Sequence, residues 1–287
     1  MNWLKALELG RGEWLFLVMG RDRINGEYIS NLIELLGRAE KNGITYFYDG
    51  YGKKSPIVYS GIEAMMRFVS CDHPTGAIFN GDLFRAIPRE TREYYFTHSD
   101  AYPETYLRRD LLLKGKGAQI ISGVFIYPSH IIDFSKVKST FEQDNKKQCD
   151  LFYAPHRRTL QFFELIDMVQ LDIPDRFTES ELNRYFKKQF DVVLGRVSLG
   201  WRNSCGSSEM QAHYGQKVRN VGISEMLGNI KTCCRDTKSH LIEKGTYSPA
   251  KQRIIYLCLA KIALRIFLDI SGLYKLLRFF KHLIVRR

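Results

Sequence analysis

Residues Glu13–Leu36 read EWLFLVMGRDRINGEYISNLIELL, and they are the most informative part of the sequence about fold class. The apolar run Trp14–Met19 is typical of a strand that is covered on both faces. Gly20 ends the run, Asp22 lies in the polar tip, and from Glu27 onward apolar residues recur at close to helical spacing. A buried strand that ends in an acidic tip and returns through a helix predicts an α/β protein. Its ligand site is expected at the carboxyl edge of the sheet.

In the rest of the chain, the spacing of apolar residues predicts further strands and helices. The fold class is therefore α/β, a mixed sheet flanked by helices, with a mainly helical C-terminal part. Strands are expected over Ile44–Tyr48 and Ala118–Tyr127, over the residues after Gly76, and over the aromatic run that ends at His98. Helices are expected over residues 2–10, 61–69, 103–115, 159–171, 179–195 (after a capping box from Thr178 to Glu181) and 221–233.

Length and charge limit the number of domains and the classes of binding partner that the chain can have. At 287 residues with 45% hydrophobic content, the chain is long enough to bury a sizeable core in one large domain or two. Its 43 basic and 31 acidic residues give a net charge of +12. From Lys251 to the end there are nine basic residues and one acidic residue, so eight of the twelve charges lie in the last 37 residues. This distribution argues against a nucleic-acid surface spread over the whole chain.

The six cysteines show neither a Cys-x-x-Cys pair nor the spacing of a zinc site. Together with an amino end that lacks a signal-peptide pattern, they predict reduced thiols in the cytoplasm. No stretch reaches the roughly 18 uncharged apolar residues that a membrane-spanning helix requires.

Several residues of the opening stretch carry a family resemblance. Asn2, Ala6 and Gly12–Phe16, followed by the tip Gly20–Asp22, resemble the middle of a family-2-type bacterial glycosyltransferase of the glycosyltransferase A fold. The resemblance covers roughly residues 2–130. It implies a fold like that of nucleotide-diphospho-sugar transferases, in which an acidic motif holds a divalent metal against the diphosphate of the sugar donor.

The donor site that the resemblance implies has fewer acidic residues in this sequence than in the family. Only Asp22 matches the acidic motif, and a lone carboxylate is a poor site for Mg²⁺ or Mn²⁺, which collect several oxygen ligands. Arg21 or Arg23 would be able to neutralise the donor phosphates directly. The alternative is that Asp22 only begins the turn into the helix.

The acceptor side and the catalytic base are also predicted from the resemblance. His73, Thr75 and Gly76 are similar to the acceptor-lining segment of sugar transferases, with His98 as a further acceptor contact. Asp100 matches the acid that deprotonates the acceptor hydroxyl, a step that needs a base because such hydroxyls have a pKa far above 7. The alternatives are a loop-packing role for His73 and a helix-capping role for Asp100.

The strands that hold the nucleotide base in the resembling family have no counterpart in this sequence. Residues 1–138 are therefore predicted to form an incomplete glycosyltransferase-like α/β domain, shortened at its amino end. Residues 151–248 form a helical extension, and residues 250–287 form basic amphipathic helices.

The last segment, Ile254–Val285, interleaves apolar residues with Lys and Arg at helical spacing. Such helices can lie on an anionic membrane, which places the protein at the inner face of the cell membrane as a peripheral cytoplasmic protein. The alternative is a helical hairpin with a solvated basic face. The predicted membrane contacts are Lys261, Arg265, Lys275, Arg278, Phe279, Phe280 and Lys281.

The leading functional hypothesis is a glycosyltransferase acting in bacterial surface polysaccharide synthesis. Its partners would be a nucleotide-sugar donor, a saccharide or lipid-linked acceptor and the anionic membrane, with no nucleic acid. Two rivals stay open: a non-catalytic remnant of such an enzyme, and a basic nucleic-acid-binding protein. The second rival predicts a cationic groove studded with aromatic side chains across the main domain.

Overall fold

The computed structural model describes residues 2–18, 23–38, 40–49, 56–69, 75–99, 104–126, 154–204 and 220–271. The chain divides into two compact units. The first unit comprises residues 1–137 and 167–185, and the second comprises residues 138–166 and 186–287.

The first unit contains a five-stranded mixed sheet, as the α/β prediction required. The strands in chain order are β1 (Trp14–Phe16), β2 (Arg23–Ile24), β3 (Ile44–Asp49), β4 (Ile57–Tyr59), β5 (Ala77–Asn80), β6 (Lys116–Ile120) and β7 (Phe125–Ile126). The large sheet has the order β1-β5-β3-β6-β4, and β2 pairs with β7 in a separate ribbon. Only the pair β3–β6 is parallel; the other pairs are antiparallel.

The helices up to residue 115 lie in the first unit. They are α1 (Asn2–Leu9), α2 (Ile29–Gly37), α3 (Gly61–Ala64), α4 (Gly81–Arg85), α5 (Arg89–His98) and α6 (Glu104–Lys114). A 3-10 turn, Gly26–Tyr28, leads into α2, and a π-helical segment, Met65–Val69, continues α3. The predicted helices over 2–10, 61–69 and 103–115 are therefore confirmed.

Every residue of β3 is buried, so the sheet is covered on both faces. On one face Phe47 packs in a cluster with Leu32 of α2 and Ile78 of β5. On the other face Tyr46 makes an edge contact with Phe68 at 5.2 Å between ring centroids. A central strand with both faces buried explains why residues 44–48 read as a continuous aromatic and β-branched run rather than an alternating one.

The prediction of a strand ending at His98 is wrong, because Arg89–His98 forms helix α5. Tyr94, Tyr95 and Phe96 favour a strand by propensity, but only Tyr95 is buried. Pro88 precedes the first turn of α5, and Arg89 pairs with Glu93 one turn later at 2.9 Å. Helical periodicity over the charged residues outweighs the strand propensity of three aromatic residues.

The predicted strand Ala118–Tyr127 is broken into β6 and β7. The break falls at Gly123, whose φ of +84° lies in the left-handed region that glycine adopts without strain. The dipeptide Ser122-Gly123 is a turn signal in the sequence, but the apolar residues on both sides of it favoured a single strand.

A polar network joins α5 to α6 inside the first unit. Tyr95 donates a hydrogen bond to Asp110 at 2.6 Å, and the Arg109 guanidinium donates to Asp110 at 2.8 Å. Arg109 also pairs with Asp172 at 2.7 Å and donates to the carbonyl of Met168 at 3.2 Å. Because each charge in this network has a partner of opposite sign, the network offsets the cost of burying Arg109.

Helices α7 (Pro155–Gln170) and α8 (Glu179–Val197) confirm the helical pattern predicted for residues 159–195. The capping box forms as predicted: the Thr178 N–H donates to the Glu181 carboxylate at 2.9 Å, and the Glu181 N–H donates to Thr178 Oγ1 at 3.3 Å. A helix α9 (Leu199–Ser204) follows.

The second unit is helical in the part of the chain that is described. Phe162, Phe186 and Phe190 form an aromatic core with ring centroids 5.6–6.0 Å apart. Helix α10 (Ile223–Glu243) begins as predicted but runs ten residues past the expected end at Cys233. Helix α11 (Pro249–Ile270) follows, and the Ser248 hydroxyl accepts from the Lys251 N–H at its start. Within the described ranges, no helix has the length and apolar character needed to cross a bilayer.

A substitution at Gly117 tests the packing of the sheet. A Cβ at this position would overlap the Phe68 ring and approach Leu112 Cδ2 to 2.8 Å. We expect Gly117→Ala to lower the free energy of unfolding by about 1–3 kcal/mol through overpacking.

The matched control is Gly37→Ala in the last turn of α2, where an added Cβ meets no atom within 4 Å. This control is expected to raise the free energy of unfolding by up to about 1 kcal/mol through helix propensity. Urea unfolding followed by circular dichroism measures both variants. Equal effects of the two would contradict the described packing around β6.

Candidate functional site

The candidate site lies at one edge of the five-stranded sheet. Strands β1, β3 and β6 run in one direction, because β1 and β3 are each antiparallel to β5 and β6 is parallel to β3. The carboxyl ends of these three strands therefore meet the beginning of β5 at the same edge. This is the kind of edge at which α/β proteins bind ligands.

Asp49, the last residue of β3, is the central carboxylate of this edge. Its side chain is only 2% exposed and accepts hydrogen bonds from the Ser122 N–H at 3.0 Å and from the Ser122 hydroxyl. Its own N–H donates to the carbonyl of Gly76, just before β5, at 2.7 Å. Asp49 thus joins the end of β3 to the turn after β6 and to the segment before β5.

The turn held by Asp49 carries the β2–β7 ribbon. The Ser122 hydroxyl accepts from the Val124 N–H at 3.0 Å, and the Val124 carbonyl accepts from the Asn25 N–H at 2.7 Å. In the ribbon Arg23 lies opposite Ile126, and its side chain is exposed. The position of Arg23, a predicted donor-phosphate ligand, therefore depends on hydrogen bonds that begin at Asp49.

The Tyr28 ring covers this turn. An added Cβ at Gly123 would lie 3.2 Å from Tyr28 Cγ, and the φ of +84° already excludes most other residues there. Gly123 therefore provides both the bend and the space that bring the ribbon back beside the sheet.

Two predicted acceptor residues, Thr75 and Gly76, lie at the same edge directly before β5. Gly76 has a φ of +94°, a conformation that requires glycine, and its carbonyl is the acceptor for Asp49. Thr75 is completely buried. Gly76 thus brings its backbone against Asp49, and the acceptor-contact roles of Thr75 and Gly76 stay predictions.

Several predicted site residues lie outside the described residues. These are Arg21, Asp22, His73 and Asp100. His98 is the last residue of α5, not the end of a strand. Among the residues with described side chains, the structure brings Asp49, Ser122, Thr75 and Gly76 together, with Arg23 on the attached ribbon.

A second buried carboxylate begins helix α6. Glu104 and Arg108 form an ion pair at 3.1 Å, and both side chains are completely buried. Arg108 also donates to the carbonyl of Phe68 at 3.5 Å. The pair links the start of α6 to the π-helical segment that follows α3. Sequence reasoning placed Glu104 only in the first turn of a helix.

The described residues contain no group of three or more His, Cys, Asp or Glu side chains arranged to hold a metal ion. Three described cysteines, Cys233, Cys234 and Cys258, are free thiols. Burial raises the pKa of Cys233 to about 11 and that of Cys234 to about 12, so neither side chain is a thiolate at neutral pH.

Comparison with known proteins identifies no family for this chain. No protein-family model, no curated protein and no solved structure matches the chain.

Asp49 is the candidate-site residue that sequence analysis did not predict. The signal was present: an acidic residue directly follows the aromatic run Ile44–Tyr48 and precedes the glycine-rich stretch Gly50–Gly52. An acidic residue at the end of a buried strand is a candidate ligand-site residue in an α/β sheet.

Removal of the Asp49 carboxylate should destabilise the edge. In Asp49→Ala the Ser122 N–H and hydroxyl lose their acceptor while they stay buried, which costs about 1–3 kcal/mol of folding free energy. Urea unfolding measures the loss. The matched control is Asp82→Ala, which removes an exposed ion pair with Arg85 and should cost at most about 1 kcal/mol. Equal losses would show that the Asp49 hydrogen bonds are not important for stability.

The same carboxylate predicts a pH dependence. Burial raises the pKa of Asp49 above its ordinary value of 3.8, although the Ser122 hydrogen bonds act in the opposite direction. Between the ordinary and the raised pKa the folded chain binds more protons at this site than the unfolded chain. The contribution of Asp49 to stability is therefore greatest at low pH and falls as pH rises through the raised pKa.

The variant Asp49→Asn cannot titrate and isolates this effect. We subtract the free energy of unfolding of Asp49→Asn from that of wild type. This difference should decrease with rising pH above 3.8 and then level off. Urea unfolding at a series of pH values measures the difference. A difference that increases with pH would mean that hydrogen bonds to the ionised form outweigh desolvation.

Proposed function

We propose that this chain is a glycosyltransferase of the nucleotide-diphospho-sugar-binding α/β type. It transfers a sugar from a nucleotide-sugar to a saccharide or lipid-linked acceptor in bacterial surface polysaccharide synthesis. The observation that carries the proposal is the single sheet edge at which β1 and β3 end and β5 begins. The chain segment that contains Asp22 follows β1, and the segment that contains His73 precedes β5, so donor and acceptor groups belong to segments joined to neighbouring strand ends.

In this proposal the donor diphosphate is met mainly by cationic side chains. Arg23 lies exposed on the β2–β7 ribbon that Asp49 and Ser122 hold in place, and Arg21 and Asp22 precede it in the chain. Arginine neutralises phosphate oxygens through two parallel hydrogen bonds. A divalent cation, Mg²⁺ or Mn²⁺, would have Asp22 as its only ligand from the family motif, so the proposal does not require a metal.

Transfer to a sugar hydroxyl requires a base. Asp100 has that role in the proposal, because it precedes α6 as the corresponding acid does in the resembling family. His73, Thr75, Gly76 and His98 line the acceptor side. A base in hydrogen-bond reach of the acceptor hydroxyl accelerates such a step by about 10²–10⁴-fold.

A specific observation favours one rival, the non-catalytic remnant. Strand β1 lies at the edge of the described sheet. In the resembling family the strands that hold the nucleotide base come earlier in the chain than this part. An edge strand has unpaired backbone groups on one side and can accept a further strand. A remnant would retain the acceptor half of the sheet and bind no nucleotide.

We place the enzyme at the inner face of the cell membrane, as a peripheral cytoplasmic protein. Support comes from the eight net positive charges in the last 37 residues and from the lipid-linked acceptors of such enzymes. Of the predicted membrane contacts, Lys261 is exposed but paired with Asp191 at 2.6 Å, and Arg265 is half-buried. The other five, from Lys275 to Lys281, lie outside the described residues.

The experiment measures nucleotide-sugar binding and hydrolysis by the full chain over a panel of uridine, guanosine and thymidine diphospho-sugars. Hydrolysis needs no knowledge of the acceptor, since water takes its place. We expect Asp100→Asn to lower kcat by about 10²-fold or more with unchanged donor binding. Arg23→Ala should weaken donor binding by at least about tenfold, because the charge-assisted hydrogen bonds from Arg23 to the phosphate are lost.

The control is Arg38→Ala, which removes an exposed cation on α2 that pairs with Glu34. This variant should behave as wild type in both assays. Undetectable binding of every donor would reject the enzyme and leave the remnant.

A further inference from the structure

Helix α11 carries an exposed apolar face that its packing in the second unit does not explain. The face that packs inward is formed by Lys251, Ile255, Cys258 and Ile266. Large apolar side chains lie on the rest of the helix at 56–61% exposure: Tyr256, Leu257, Leu264, Phe267 and Ile270. Large apolar side chains on a helix normally pack against a covering surface.

The exposed residues form one continuous face. At 3.6 residues per turn, the five exposed side chains and the small residues Ala260 and Ala263 fall within one half of the helix circumference. That half lies opposite the buried face. Contiguous apolar surface of this kind marks an interaction site, because water is a poor solvent for it.

The cationic side chains on and after α11 indicate the chemistry of the partner. Arg253 is exposed within the same half of α11 as the apolar side chains, and Lys261 is exposed at the border of that half, where it pairs with Asp191 at 2.6 Å. The residues after the helix add five further cations and no acid: Lys275, Arg278, Lys281, Arg286 and Arg287. An apolar helix face bordered by cations is the pattern of helices that lie in the interface of an anionic bilayer.

We propose that the exposed face of α11, formed by Tyr256, Leu257, Leu264, Phe267 and Ile270, inserts into the headgroup region of an anionic membrane. The helix lies parallel to the surface, with its inward face on the second unit and its outward face in lipid. This inference rests on the proposed function in one respect only, namely that the partner is an anionic membrane. Vesicle binding is measured without any nucleotide-sugar. A failure of one proposal is therefore distinguishable from a failure of the other.

The assay is sedimentation of the full-length protein with vesicles of phosphatidylcholine and phosphatidylglycerol. The test variant is the double substitution Leu264→Gln, Phe267→Gln, which replaces two side chains that are 59% and 60% exposed. We expect its partition coefficient to fall at least tenfold, since two apolar side chains would no longer leave water on binding.

The matched control is the double substitution Leu9→Gln, Ile33→Gln. These residues are 80% and 63% exposed on α1 and α2 in the first unit. The control should bind vesicles within about twofold of wild type, because the proposal assigns these residues no contact with lipid. Circular dichroism checks that both double variants stay folded.

Three results would overturn the proposal. The first is that the Leu264→Gln, Phe267→Gln variant binds vesicles as well as wild type does. The second is that the Leu9→Gln, Ile33→Gln control loses as much vesicle binding as the α11 variant. The third is a wild-type dimer that becomes a monomer in the α11 variant without loss of vesicle binding, which would make a second copy the occupant of this face. Loss of binding on pure phosphatidylcholine vesicles, with retention on anionic ones, would support the assignment of the cations.

The depth of insertion gives an independent measurement. In Phe267→Trp the new indole should be quenched by lipids brominated near the headgroup end of the acyl chain, relative to the fluorescence of the parent protein. In the control Ile33→Trp no added quenching is expected. Absence of quenching in Phe267→Trp would place the α11 face outside the bilayer and reject the proposal.

Discussion

The candidate site depends on one buried carboxylate. Asp49 ends the central strand β3 and accepts two hydrogen bonds from Ser122, so the turn after β6 must stay beside the end of β3. The β2–β7 ribbon is attached to that turn and carries Arg23. Burial of a carboxylate is costly, and it persists because the donors around it would be left without an acceptor if the turn moved away. These hydrogen bonds therefore fix the position of the turn after β6 relative to the end of β3.

The two units use buried and exposed surface in different ways. In the first unit, charged side chains are buried in pairs and networks, such as Glu104 with Arg108 and Arg109 with Asp110. Such pairs contribute little net stability, because the cost of removing the charges from water offsets their attraction. The second unit has an aromatic core and, on α11, apolar side chains that face outward. The first unit thus carries the polar chemistry proposed for sugar transfer, and the second carries the surface proposed for lipid.

Local pattern predicted most of the elements of the described chain. The strand β3, the helices α1, α2 and α6, and the capping box of α8 follow from periodicity and from capping residues, which act within a few positions of one another. The two errors concern local signals that the apolar pattern outweighed. At Tyr94–His98 the propensity of three aromatic residues favoured a strand, although Pro88 and the Arg89–Glu93 pair favour a helix. At Ala118–Tyr127 the apolar residues on both sides of Ser122-Gly123 favoured one strand, although glycine marks the turn.

Composition and hydrophobic pattern were enough to predict an α/β chain with polar residues at the ends of its strands and with positive charge concentrated near residue 287. They did not indicate which groups meet at the sheet edge. Asp49 and Ser122 are 73 positions apart, and no local pattern pairs them. The tertiary structure also decided which side of α11 is exposed, because an apolar residue on a helix has the same propensity whether a neighbouring helix covers it or not. Pairing across the sheet and the choice of buried face are properties of packing, which acts between distant parts of the chain.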